Sequence, residues 1–204
     1  MTNSRTGSVR TRILDTACTL FYQEGIRAVG VDKIIEDSGV AKMTLYRHFP
    51  TKDNLVVAYL EERKRIYWVW FEEVMSRHPG SPKEQLLDLF DALGEKLTSP
   101  GYRGCPFLNT TTEFPDPEHP GHRITQEHKC SIRNRLRDLA ESAGTRHPDK
   151  LATQLQMLID GAHVSAQIFG KAVPVSQMQA AAALLIAAHL PQNANLVEII
   201  EKSA

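Results

Sequence analysis

The sequence predicts an all-α fold on three observations. Apolar residues recur at steps of three and four, no stretch alternates apolar and polar residues long enough to need a strand, and Gly or Pro closes each periodic segment. The composition fits a folded domain of this kind. Of 204 residues, 42% are hydrophobic and 24% charged, so the chain can bury a core, which excludes the disordered and fibrous classes. Lys+Arg 24 balances Asp+Glu 24, which excludes binding to DNA or membrane by bulk charge but leaves room for a local basic patch.

The elements follow in order. Ile13, Ala17, Leu20 and Phe21 mark a first helix that Gly25 stops. A short helix over 31–37, with Ile34 and Ile35, ends at Ser38-Gly39. A second short helix, Lys42 to Phe49, begins three residues later and runs into Pro50, so the pair reads as a helix-turn-helix. One long helix is expected from Lys52 to His78, capped by Thr51; at about 1.5 Å per residue it spans roughly 40 Å. Pro82 to Leu97 is an amphipathic helix, and Gly104 to Glu113 a short one. Residues 114–121, with three prolines, read as a loop. Helices over 123–143, 149–169 and 175–190 complete the chain, with a weak turn expected after Pro191. The division expected is 1–55 and 56–204.

The segment Lys42 to Lys52 carries the chemistry. It holds three cations and no acid, within a region (1–53) of eight basic and six acidic side chains. Leu45 and Phe49, four apart, share a face that can anchor the short helix against Ile13, Ala17 and Ile34. The opposite face presents Lys42, Met43, Thr44, Arg47 and His48. Lys and Arg can meet phosphates or guanine edges, and Thr and Met methyl groups a thymine methyl. Arg5, Arg10 and Arg12 suggest either a basic arm or a solvated tail.

With its glycine turn, Leu45-Tyr46-Arg47-His48-Phe49 and then Lys52, this segment resembles the TetR-type family of bacterial transcriptional regulators. The resemblance is close over about residues 10–60. It implies a three-helix DNA-binding domain joined by the long helix to a helical domain for effector binding and dimerisation. It places Lys42, Met43 and Thr44 in the major groove of double-stranded operator DNA, and Tyr46, His48 and Lys52 on phosphates. Two departures stand out: Met43 at a position often small in the family, and Gly30 where Ser or Thr commonly caps the second helix, a loss of a few tenths of a kcal/mol.

Beyond residue 56 the resemblance implies a small-molecule effector and a homodimer. Tyr67, Trp68, Trp70 and Phe71 cover more than one face of the long helix, so some rings must meet other helices or a cavity; Phe90, Cys105 and Phe107 are expected as opposing walls. Leu155, Ile159, Ala162 and Ala166, then Ala183 and Ala187, suggest a symmetric interface of the last two helices. His119-x-x-His122, with Glu118, His128 and Cys130, offers zinc-like ligand types across the proline-rich loop, but no metal or other cofactor is expected. Three widely spaced cysteines fit a reducing cytoplasm, and neither a secretory signal nor a membrane span is read. No nucleophile elbow, phosphate loop or dinucleotide fingerprint appears. A repressor released by its effector is therefore the reading, and a small helical enzyme or carrier with a vestigial DNA module the alternative.

Overall fold

The structure, a computed structural model, describes residues 8–191, and within them the chain is helical throughout, without strands. Helices α1 (Val9–Glu24), α2 (Val31–Ser38), α3 (Lys42–His48), α4 (Lys52–Met75), α5 (Pro82–Leu97), α6 (Pro106–Glu113), α7 (Pro120–Ser142), α8 (Pro148–Phe169) and α9 (Val175–His189) succeed one another, with a 3₁₀ turn at Gly170–Ala172. Arg10 and Arg12 lie inside α1 and so are not part of an arm. Arg5 and the turn after Pro191 fall outside the described residues.

Two compact units form. The first comprises residues up to Arg65 together with Cys105–Gln126. Its helices begin and end where local chemistry dictates. The Ser8 hydroxyl accepts the Thr11 N–H at the start of α1, and Gly25 ends it. Gly30 opens α2 without a side-chain cap, as the sequence suggested. Gly39 closes α2 at φ 63°, ψ 32°, a left-handed conformation that favours glycine and lets the chain turn tightly into α3. Thr51 and Asn54 cap α4 reciprocally: Thr51 Oγ1 accepts the Asn54 N–H at 3.1 Å, and Asn54 Oδ1 accepts the Thr51 N–H at 3.1 Å. The core joins Ile13, Ala17, Phe21, Ile34, Leu45 and Phe49 to Leu55, Tyr59 and Leu60 of α4.

The unit boundary departs from a simple cut near residue 55. Cys105 and Phe107 belong to this first core, because α6 packs here and its C-terminus is tied to the α1–α2 turn. α6 itself starts at Pro106, since Gly104 (φ 96°) is not helical and proline suits a first helical turn. By the same logic α7 starts at Pro120, three residues before the expected position, and the loop shortens to 114–119.

The second unit comprises Ile66–Gly104 and the described residues from Glu127 onward. Phe71, Val74 and Met75 of α4 meet Leu86, Leu89, Phe90 and Leu93 of α5, Ile132 and Leu136 of α7, and the apolar rows of α8 and α9. α4 stops at Met75 instead of His78, where Gln85 Nε2 donates to the Met75 carbonyl at 2.9 Å and satisfies one of its terminal acceptors. α5 and α9 approach closely at Gly94: a Cβ there would sit 2.4 Å from Val175 Cγ1.

Candidate nucleic-acid interface and effector site

α3 is only seven residues long, so its position depends on its anchors. Leu45 and Phe49 are each 2% exposed and lock one side into the first core. The outer side then shows Lys42, Met43, Tyr46 and Arg47 to solvent, with Thr44 and His48 half-buried. Met43 is 80% exposed, so its side chain is available to a partner of α3.

The cations are not alike. Lys42 Nζ lies 3.2 Å from Asp32 Oδ1 across an exposed pair that a phosphate can displace cheaply. Lys52 is half-buried, its Nζ 5.9 Å from the Phe21 ring, and that burial lowers its pKa. Arg10 stacks over Phe49 at 4.9 Å and, with His48, Pro50 and Asn54, lines a cleft of about 530 Å³ beside α3. Arg10 is thus a further cation beside α3.

The α6–α7 segment braces this unit from behind. Glu113 accepts the N–H groups of Ile26 and Arg27 at 3.0 and 2.6 Å. His119 stacks on Phe114 at 4.0 Å and reaches Asp53 of α4 at 3.6 Å. His122 meets the Phe114 carbonyl, while His128 is buried in the other unit against Tyr67 and Trp68. These histidines do not gather, and the described residues contain no group of three His, Cys, Asp or Glu placed to hold a metal.

In the second unit, half-buried polar and aromatic side chains converge from several helices. Tyr67 and Trp70 of α4 lie 5.5 Å apart, and the Lys96 ammonium of α5 sits 4.4 Å above the Trp70 ring. Tyr102 stacks on His163 of α8, with the hydroxyl hydrogen-bonded to Nδ1 at 2.5 Å. Lys129 of α7 is paired with Asp160, one turn before His163. Desolvation first, then Lys129 and Lys96, push the His163 imidazole down to about 3, so it is neutral at physiological pH.

Comparison with known proteins then decides the family. The family model for bacterial regulatory proteins of the tetR family matches residues 13–59, and that for the tetracyclin repressor-like C-terminal domain matches 82–182. A solved TetR-family transcriptional regulator from Streptomyces coelicolor is 31% identical, with a TM-score of 0.84 over 89% of this chain and 95% of that one. The chain belongs to the TetR family. Among curated relatives, the HTH-type transcriptional regulator YjdC of Escherichia coli is 24% identical over 74% of this chain and 80% of its own. The repressor ComR of the same organism is 28% identical over 78% and 79%. As a TetR-family member, the protein is a DNA-binding transcriptional regulator with a helix-turn-helix and a helical C-terminal domain.

Within this TetR framework the expected site residues separate. Lys42, Met43, Thr44, Tyr46, Arg47, His48 and Lys52 all lie on or beside α3. Of the expected effector contacts, Tyr67 and Trp70 are half-buried and Phe71 and Phe90 sealed in the second core, whereas Cys105 and Phe107 pack in the first. Lys96, Tyr102, Lys129, Asp160 and His163 were not foreseen; their spacing is irregular and only the fold gathers them.

The expected dimer residues need correcting. Leu155, Ile159, Ala162 and Ala166 face the monomer core, with Leu155 at 0% exposure, so a partner has nothing of them left to bury. The outward row of α8 is instead Met157, Gly161, Val164 and Ile168, and that of α9 includes Ala180, Ala183 and Leu184. Of the two expected on α9, Ala183 is exposed and Ala187 half-buried. A cleft of about 350 Å³ opens beside Met157 and Gly161 on this apolar side.

Proposed function

We propose that this TetR-family regulator is a repressor that binds a palindromic operator as a homodimer and leaves it when a small effector fills the Tyr67–Trp70–Lys96 cluster. The observation that carries the first half is the acid-free Lys42–Lys52 segment, folded so that Leu45 and Phe49 are buried while Met43 stands in solvent. Lys42, Met43 and Thr44 read bases; Tyr46, Arg47, His48 and Lys52 set register on phosphates.

A palindrome needs two copies of α3, and the outward apolar rows of α8 and α9 support a two-fold four-helix contact. Ile168 and Leu184, 69% and 72% exposed, are the side chains such a contact would cover. The protein acts in the cytoplasm and is not an enzyme; no helix among the described residues is long and apolar enough to cross a membrane.

α4 runs unbroken from Lys52 past Trp70, so displacing its second half displaces the base of α3. Release requires the effector to prefer the DNA-incompetent arrangement, because equal affinity for both shifts nothing. Footprinting of full-length protein on a duplex selected from a random-sequence pool tests the reading. Two protected half-sites are expected, centred about 34–36 Å apart or at a larger multiple of the helical repeat. Absence of a protected site at moderate salt overturns it.

A further inference from the structure

We propose that Asp32 determines DNA specificity: its carboxylate holds the Lys42 ammonium and reserves it for uncharged acceptors on base edges, away from backbone phosphates. This rests on the reading of Lys42 as a base contact and adds a residue of α2 to the recognition surface. Asp32 and Lys42 stand in the first turns of consecutive helices, ten positions apart, with the left-handed Gly39 between them. Lys42 Nζ lies 3.2 Å from Asp32 Oδ1, and neither group makes another ion pair among the described residues. Lys33, the neighbour of Asp32, is turned instead to Asp37 and Glu24, at 3.3 and 3.8 Å. The Asp32 and Lys42 side chains are 86% and 62% exposed, so both are open to a duplex laid against α3.

An ammonium carries three N–H donors and one positive charge. Asp32 takes one donor and balances the charge, which leaves two donors. A guanine edge offers two uncharged acceptors, N7 and O6, and can take those donors with the ion pair intact. A phosphate needs the charge instead. The exposed pair opens readily, yet Asp32 stays on α2, so a phosphate that takes Lys42 stands near a second anion with a single cation to share. The pair thus disfavours a contact that every duplex offers and spares one that only some base pairs offer, which creates a difference of affinities. Arg47 and Lys52, the other cations of the Lys42–Lys52 segment, form no ion pair among the described residues and are left to phosphates. Asp32 also lies in the first turn of a helix that Gly30 opens without a side-chain cap, where the helix dipole favours an acid. That second role acts on stability and not on the choice of duplex.

Full-length wild type, Asp32→Asn, Asp32→Glu, Lys42→Ala and the double variant Asp32→Asn/Lys42→Ala are compared by fluorescence anisotropy. Each is titrated with the selected duplex and with a scrambled duplex of equal length across salt concentrations, and its Tm is recorded. Asp32→Asn should lower the ratio of selected to scrambled affinity about tenfold. It should also steepen the salt dependence on the scrambled duplex by about 1, the slope of one added phosphate contact. Asp32→Glu, which keeps the charge, should retain the ratio. In the Lys42→Ala background, Asp32→Asn should change neither the ratio nor the slope. An unchanged ratio in Asp32→Asn overturns the inference, and a lowered Tm beside it leaves Asp32 only its role at the helix start. The same loss of ratio with and without Lys42 also overturns it, because Asp32 then acts by another route. A selected duplex bound equally by wild type and Lys42→Ala removes Lys42 from the bases, and the inference fails while DNA binding stands. If the wild type enriches no duplex, the DNA-binding reading itself fails and takes the inference with it.

Discussion

The carboxylate of Glu113 accepts the backbone N–H of Arg27 at 2.6 Å, a bond between residues 86 positions apart. With its second bond to Ile26, it closes the α1–α2 turn from α6. The turn that sets the first helix pair of the DNA-binding unit is therefore held by a side chain well outside that helix pair. Glu113→Ala leaves both N–H groups without this acceptor and should cost about 1–3 kcal/mol. Faster hydrogen exchange at Ile26 and Arg27, with weaker DNA binding, is the expected outcome; unchanged exchange would show that the bonds do not hold the turn.

Substitutions on α8 and α9 separate the monomer core from the outer face. Leu155→Ala should destabilise the fold by about 2–5 kcal/mol through a lost contact and a cavity. Leu184→Asp and Ile168→Asp should leave the monomer folded while dissociating the proposed dimer. Denaturant midpoints and sedimentation measure both. Dissociation by Leu155→Ala without loss of stability would restore the interface first suggested by the apolar spacing.

That contrast shows how much of the molecule was legible in the sequence. Every helix expected within the described residues is present, with ends displaced by two or three residues at α4, α6 and α7, and stops such as Gly25 and Gly39 fell where expected, because a cap is a local event. α8 is apolar on two sides, so periodicity alone cannot say which row its own chain covers; only the seating of α9 decides. The proposed DNA face could be named from the sequence because its residues lie in one eleven-residue segment, Lys42 to Lys52. Lys96, Tyr102, Lys129 and His163 could not, since their proximity arises from the packing of separate elements. The contribution of α6 to the first unit depends on Glu113 and Phe107, contacts that no local pattern announces.

His163 confers a pH dependence of defined sign. Its pKa falls from an ordinary 6.5 to about 3 on folding, through burial and then the nearby Lys129 and Lys96; the Tyr102 hydroxyl also faces it. The folded state thus favours the neutral ring. Its contribution is complete above about pH 6.5 and is lost as pH falls towards 3, because the unfolded chain takes up the proton first. The urea midpoint of the wild type should drop between pH 7.5 and 5, and His163→Gln should reduce that drop. An equal drop in both would contradict the assignment.

The central claim is that α3 and the start of α4 read DNA as a cationic, shape-specific surface. Its most direct measurement is the affinity of full-length protein for the selected duplex by fluorescence anisotropy across salt concentrations, for wild type and Lys42→Ala/Lys52→Ala. The wild type should bind with a steep salt dependence, and the double variant, equally folded by circular dichroism, should bind far more weakly with the slope reduced by about 1, the share of the Lys52 phosphate contact. Identical affinity and slope in the two proteins would contradict the account.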